Sequence, residues 1–215
     1  MKGSAKIITW LSLPLYIPVV ALLIVLYAPV KPLDFSELVL FQIPQKVKAI
    51  LLLIFTLFYI VAPGISFLGL QRMKVISTVE MEERKERNLP LVIMLLYGTM
   101  LFFLLRQSDP QNLLPEAIYA IIVSGVCLNF TALIANYWFK LSLHTAGTGF
   151  LFGFVFWFSQ QHDPPLIYTL ETILICAFLV FSARWILGKH SLLELVSGIL
   201  IASTQTWLVC HIFYG

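Results

Sequence analysis

The chain has 215 residues, of which 60% are hydrophobic and only 12% are charged, with a formal net charge of +3. Soluble domains carry about 25% charged residues, so this composition excludes a water-soluble globular protein. The basic residues lie in short polar segments and form no continuous stripe, which argues against nucleic acid as a partner. We therefore expect one integral membrane domain over residues 1–215, with the lipid bilayer as its surroundings.

Seven apolar runs follow one another along the chain, each near the length of about 20 residues that a membrane-spanning helix needs. They cover approximately residues 8–28, 47–70, 90–105, 114–135, 141–158, 166–183 and 191–213. Prolines at 29–32, 110 and 164–165 separate several runs, because proline cannot continue a helix. The third and fifth runs are short. The sequence thus predicts an all-α polytopic transmembrane helical bundle with six to seven spans.

The basic residues are distributed unevenly between the two ends of such a bundle. With seven crossings, ten of them fall on the side of the N-terminus, and only Lys31, Lys46, Lys48 and Arg106 fall on the other side. Cytoplasmic loops carry the excess of Lys and Arg in membrane proteins. This distribution predicts a cytoplasmic N-terminus.

Three polar segments remain between the spans: residues 80–90, residues 136–145, and residues 182–190 followed by Glu194. Each lies where an even-numbered span meets the next odd-numbered one, so all three are expected on the same side. Arg donates two parallel hydrogen bonds to phosphate, and a helix beginning near Ser142 offers free N–H groups to an anion. His144 and His190 add a nucleophile and a proton donor. The pattern favours a phosphate-binding pocket.

The motifs in these segments resemble signatures of the type-2 phosphatidic acid phosphatase superfamily. Arg184, His190 and Glu194 are spaced like its third signature, Arg-x5-His-x3-Asp. The run from Lys140 to His144 resembles its second signature, Pro-Ser-Gly-His. With Met-Glu-Glu-Arg-Lys-Glu-Arg at 81–87, the combination is similar to small bacterial membrane members of that superfamily, over about residues 76–200.

The resemblance implies a role for each matching residue. His190 would be the nucleophile that forms a phosphohistidine, and Glu194 would orient its imidazole. His144 would be the general acid for the leaving group. Arg184 and Ser142 would hold phosphate oxygens.

This sequence departs from the signatures at three places. Glu194 stands where the family has Asp, and Leu143 stands where it has Gly. The first signature, Lys-x6-Arg-Pro, is absent as written, and its nearest counterparts are Arg84, Lys85 and Arg87 before Pro90. Lys140 fits either a phosphate ligand or a cation that extends to the lipid interface.

We expect a metal-independent lipid-phosphate phosphatase or phosphotransferase of a bacterial inner membrane, without a cofactor, whose partner is a membrane lipid carrying a phosphate. Two alternatives stay open. The chain could be an inactive subunit that binds a lipid phosphate, or a small transporter that uses Glu171 and the histidines as intramembrane polar groups. The particular lipid and the oligomeric state are left open.

Overall fold

The computed structural model describes residues 2–32, 43–78 and 83–214. Helices make up most of these ranges: α1 Lys2–Leu11, α2 Ile17–Tyr27, α3 Gln45–Thr56, α4 Ala62–Arg72, α5 Asn88–Ser108, α6 Glu116–Ala135, α7 Leu143–Gln160, α8 Ile167–Ile186 and α9 Leu192–Tyr214. The predicted all-α architecture is confirmed. The third run is longer than predicted, because α5 begins before Pro90 and continues to Ser108.

The first predicted span is a helix broken near its middle. It begins at Lys2, earlier than the apolar run suggests, and α1 gives way at Pro14 to a short 3₁₀ turn, Pro14–Tyr16, before α2 starts. Pro14 has no N–H to donate to the preceding turn, so the helix cannot continue through it. The break leaves carbonyl groups at the end of α1 without helical donors.

The second span carries a local irregularity instead of a break. Leu57–Val61 form a π-helical turn between α3 and α4, two residues before Pro63. Since Pro63 cannot donate to the carbonyl of Tyr59, the wider turn accommodates the missing hydrogen bond while the helix continues. Tyr59 is consequently turned into the interior, where it is 1% exposed.

Within the described ranges, six helical segments are long and apolar enough to cross a membrane, and the broken first span and the irregular second span are among them. α7 runs beside α9 in the same direction: Ser142 N–H meets the carbonyl of Glu194 at one end, and Gln161 meets the carbonyl of Tyr214 at the other. Its 18 residues cover roughly 27 Å. The chain is an integral membrane protein in which α7 forms a further, more polar crossing.

α7 is the central helix of the bundle. Of its 18 residues 14 are buried, whereas α8 buries 5 of 20 and presents the remainder outward. A Cβ at Gly149 or Gly153 would overlap the backbone of α9 at Ile199 or Ser203. These glycines let the two helices approach closely. The close contact fixes the start of α9 beside the start of α7.

The end of the bundle opposite the polar segments carries a small antiparallel pairing. β1, Lys31–Pro32, pairs with β2, His162–Asp163, and Lys31 faces Asp163. His162 is 3% exposed, and its Nδ1 lies 2.7 Å from the carbonyl oxygen of Phe158. His162 is thus packed into the structure at this end of the bundle.

Candidate functional site

The first two polar segments meet through arginine side chains. Arg87 donates from Nη1 to the carbonyl oxygen of Leu141 at 2.7 Å, and its side chain is buried. Arg84 donates to the carbonyl of Trp138 at 3.0 Å, on the exposed surface. Both arginines belong to the 3₁₀ turn Arg84–Arg87, which directs them differently. Of the two first-signature candidates, Arg87 is thus the one that points inward.

Asn136 reinforces the same junction. Its side-chain amide donates to the carbonyl of Arg84 at 2.8 Å and to Oδ1 of Asn88 at 2.7 Å. The end of α6 is thereby tied to the beginning of α5. Sequence reasoning assigned Asn136 no role, although an asparagine at a span end within a polar segment was a usable signal.

The second and third polar segments also meet. Lys140 Nζ donates to the carbonyl of Lys189 at 3.4 Å, and the backbone N–H of Ser142 donates to the carbonyl of Glu194 at 3.4 Å. The three segments therefore share one end of the bundle, as the parity of the spans predicts. Through this contact the Lys140 side chain joins the second segment to the third.

A glycine turn sets the position of His190. Gly188, after the end of α8, has φ +65°, a left-handed conformation that residues with a Cβ adopt at a cost. Gly188 N–H donates to the carbonyl of Trp185 and Lys189 N–H to that of Arg184, which is the usual way to close a helix C-terminus. The chain reverses there, and His190 follows directly.

A buried His190 is paired with a partly exposed Glu194. Nδ1 of His190 lies 3.0 Å from Oε2 of Glu194, and the same oxygen accepts the backbone N–H of Ser191 at 3.0 Å. The side chain of His190 is fully buried, whereas that of Glu194 is 22% exposed. Nε2 of His190 has no hydrogen-bond partner among the described residues. Glu194 thus orients the ring and leaves Nε2 available for a further contact.

His144 lies in the first turn of α7, beside the helix N-terminus. Ser142 is the N-cap residue, and its Oγ and the Nε2 of His144 are both buried without a hydrogen-bond partner in the described part of the chain. Buried polar atoms are rarely left in this state, and functional sites are one place where they occur. Leu143 is helical, so the site needs no positive φ at this position.

The backbone carbonyl of Thr9 lies near the imidazole of His144 and interacts with it. Thr9 is in the last turn of α1, where the break at Pro14 leaves carbonyl groups open to other donors. The same carbonyl accepts from the hydroxyl of Ser12 at 3.3 Å. This contact could not be predicted from the sequence, because a backbone group carries no residue-type signal.

The surroundings of His190 keep its imidazole neutral. Burial disfavours the charged ring, and Arg184, Arg87 and Lys140 oppose it further by their positive charges, as does His144. Together they lower the pKa of His190 to about 2. The same interactions place Arg184, Arg87, Lys140 and His144 within electrostatic range of His190. A neutral imidazole is the form that acts as a nucleophile.

Arg184 is 2% exposed. Together with Arg87 and His144 it lines one cavity of about 230 Å³.

No family model, curated protein or solved structure matches this chain. Within the described ranges no group of three or more His, Cys, Asp or Glu is arranged to hold a metal ion.

The remaining candidates lie elsewhere. Lys85 is exposed on the surface, and residues 79–82, which include Glu80, lie outside the described residues. Glu171 is exposed in the second turn of α8, and the 13 residues from it to Arg184 correspond to roughly 20 Å along the helix. Glu171 is thus far from the histidines that the transporter hypothesis combines with it.

The arrangement suits an oxyanion with several negative oxygens. Two buried arginines and the N-terminus of α7 supply positive charge and N–H donors. His190 offers an unprotonated Nε2, and His144 offers a second imidazole nearby. A tetrahedral phosphate is the group that uses all of these features together.

Proposed function

We propose that the protein is a membrane-embedded phosphatase or phosphotransferase that acts on a lipid phosphate through a phosphohistidine at His190. The observation that carries the proposal is the state of His190: Nδ1 is held by Glu194, Nε2 is buried without a partner among the described residues, and the imidazole is kept neutral. A nucleophilic nitrogen prepared in this way, beside buried arginines, has an obvious use in phosphoryl transfer.

In the first step, Nε2 of His190 attacks the phosphorus and forms the N–P bond as the P–O bond to the lipid breaks. His144, in its protonated form, donates a proton to the departing oxygen. An incoming phosphate dianion stabilises that imidazolium, and the nearby Thr9 carbonyl also favours it. Arg87 and Arg184 bind the equatorial oxygens, where charge is greatest in the transition state.

In the second step, water attacks the phosphorus of the phosphohistidine, and His144 takes a proton from that water. The N–P bond breaks, phosphate leaves, and His190 is again neutral. If an alcohol replaces water, the same site acts as a phosphotransferase. No redox equivalent is needed in either case.

Replacing His190 by Ala tests this proposal. We expect the variant to fold and to lose phosphate release from a short-chain lipid phosphate in detergent micelles. His211→Ala is the control, because His211 is exposed and stacks on Trp207 in the last turns of α9, away from the site. An unaltered rate in His190→Ala would overturn the mechanism.

A second candidate function is binding without turnover. It is favoured by Leu143, which lines the cavity next to His144 at the position where the resembled signature has Gly. A leucine there occupies space beside the phosphate site. Binding of vanadate without any phosphate release, in the wild type and in Leu143→Gly, would support this function; phosphate release by the wild type would exclude it.

The orientation of the chain is a further part of the proposal. We place the N-terminus and the site on the cytoplasmic side of a bacterial inner membrane, because the side of the N-terminus carries most of the Lys and Arg. Proteolysis of an N-terminal tag in inside-out vesicles, but not in right-side-out vesicles, is the expected result. The opposite pattern would reverse the orientation.

A further inference from the structure

The cavity of about 230 Å³ extends away from the phosphate site into the bundle. One wall is the broken part of the first span, from Leu13 to Pro18. Other walls come from the π-helical turn, α4, α5, α6 and α7. They are mostly hydrocarbon, for example Phe67, Met94, Leu128 and Phe150. An interior of this kind favours an apolar occupant.

The polar residues of the cavity are concentrated where it meets the site. Arg87, His144 and Arg184 contribute to its wall. They also interact electrostatically with one another or with His190, so they belong to one cluster. A molecule that fills the cavity with a hydrocarbon chain would therefore present its charged end to both arginines. That distribution of charge matches an anionic lipid head joined to an apolar chain.

The reach of the cavity can be estimated along α5. Tyr59 lines it, and the Tyr59 hydroxyl lies 3.7 Å from the position that a Cβ on Gly98 would take. Ten residues separate Asn88, next to Arg87, from Gly98, which corresponds to roughly 15 Å of helix. The lining thus extends from the level of the arginines to about half the thickness of the hydrocarbon layer.

The volume of the cavity limits which lipids fit into it. Its volume is below the roughly 300–1,000 Å³ typical of sites for drug-sized ligands. Gly125 forms part of the wall, and a Cβ there would stand 3.7 Å from the Tyr59 hydroxyl. The space accommodates the first part of one chain, whereas two acyl chains side by side would need considerably more room.

We propose that this cavity binds the chain of a single-chain lipid phosphate, an alkyl or isoprenoid phosphate monoester or diphosphate, with the phosphate on Arg87, His144 and Arg184. The inference rests on the proposed function and names its substrate class. Phosphatidate and other two-chain lipids are correspondingly poor ligands.

Binding to full-length His190→Ala protein in detergent tests the inference without interference from turnover. The probes are dodecyl phosphate, farnesyl phosphate and a short two-chain phosphatidate, measured by titration calorimetry. Gly125→Leu fills the cavity, and Gly69→Leu is the matched control because no atom lies within 4 Å of its Cβ position. We expect Gly125→Leu to weaken binding of both single-chain probes about tenfold or more, by displacing methylene groups, and Gly69→Leu to leave it unchanged.

Equal binding of single-chain probes by Gly125→Leu and Gly69→Leu would overturn the inference, as would tighter binding of phosphatidate. Met94→Trp replaces Gly125→Leu if the latter does not fold. Different results would refute the proposed function and the chain-binding site. Loss of chain binding only in the cavity variants, in a protein that never releases phosphate, refutes the proposed function and leaves the chain site standing. Phosphate release that cavity filling does not change for any chain length refutes the chain site alone.

Discussion

The carboxylate of Glu194 is the most informative single group to change. It accepts from His190 Nδ1 and from Ser191 N–H, each at 3.0 Å. Glu194→Gln keeps the size of the side chain but removes the charge. A hydrogen bond to a charged group is worth about 1.5–3 kcal/mol. At 1.36 kcal/mol per tenfold in rate, we expect kcat to fall roughly 10- to 150-fold.

The assay is phosphate release from a single-chain lipid phosphate, with the melting temperature measured on the same samples. Glu194→Asp should retain more activity than Glu194→Gln, since it keeps the charge and is the residue of the resembled signature. Glu86→Gln is the control, because Glu86 also binds a backbone N–H, that of Ser77 at 2.9 Å, outside the site. A Glu194→Gln rate within twofold of the wild type would refute the positioning role.

Three further predictions concern stability. Gly153→Ala should destabilise the fold by about 1–3 kcal/mol, because its Cβ would overlap the carbonyl of Ser203. Gly69→Ala should have no such effect, because no atom lies within 4 Å of its Cβ position. Thermal unfolding in detergent measures the difference. Asp109 accepts hydrogen bonds from the N–H groups of Leu113 and Leu114 at the far end of the bundle. Asp109→Ala should therefore lower the free energy of unfolding by about 2–3 kcal/mol without changing kcat of the folded protein. A change in kcat would contradict this. The pKa of His190 is depressed in the folded protein, so His190 takes up a proton on unfolding below about pH 6.5. The free energy of unfolding should therefore fall on acidification by up to about 1.4 kcal/mol per pH unit. His190→Asn should reduce that slope between pH 7 and 5, and an unchanged slope would contradict the assignment.

Much of the fold could be predicted because the bilayer imposes a single length and polarity on each span. The apolar runs and the prolines between them located every crossing. The start of the first span was missed because Lys2 and Lys6 lower its hydropathy, although lysines in a terminal turn can extend to the interface. The π-helical turn before Pro63 was missed because such turns have no distinct composition.

The candidate site was predictable to the extent that it depends on parity and spacing. The order of the spans predicts that the three polar segments meet, and the spacing from His190 to Glu194 places both on one side of a turn. Sequence reasoning could not choose between Arg84 and Arg87, because the choice depends on the 3₁₀ turn that contains them. The Thr9 carbonyl and the cavity arise only from packing between distant helices.

In the proposed mechanism His190 receives the phosphoryl group. This transfer can be detected by rapid alkaline quenching of the protein after mixing with a lipid phosphate labelled on phosphorus, followed by peptide mass spectrometry. We expect an acid-labile phosphate on the peptide that contains His190 in the wild type and none in His190→Ala. Phosphate release by the wild type with no label on that histidine at any time point would contradict it.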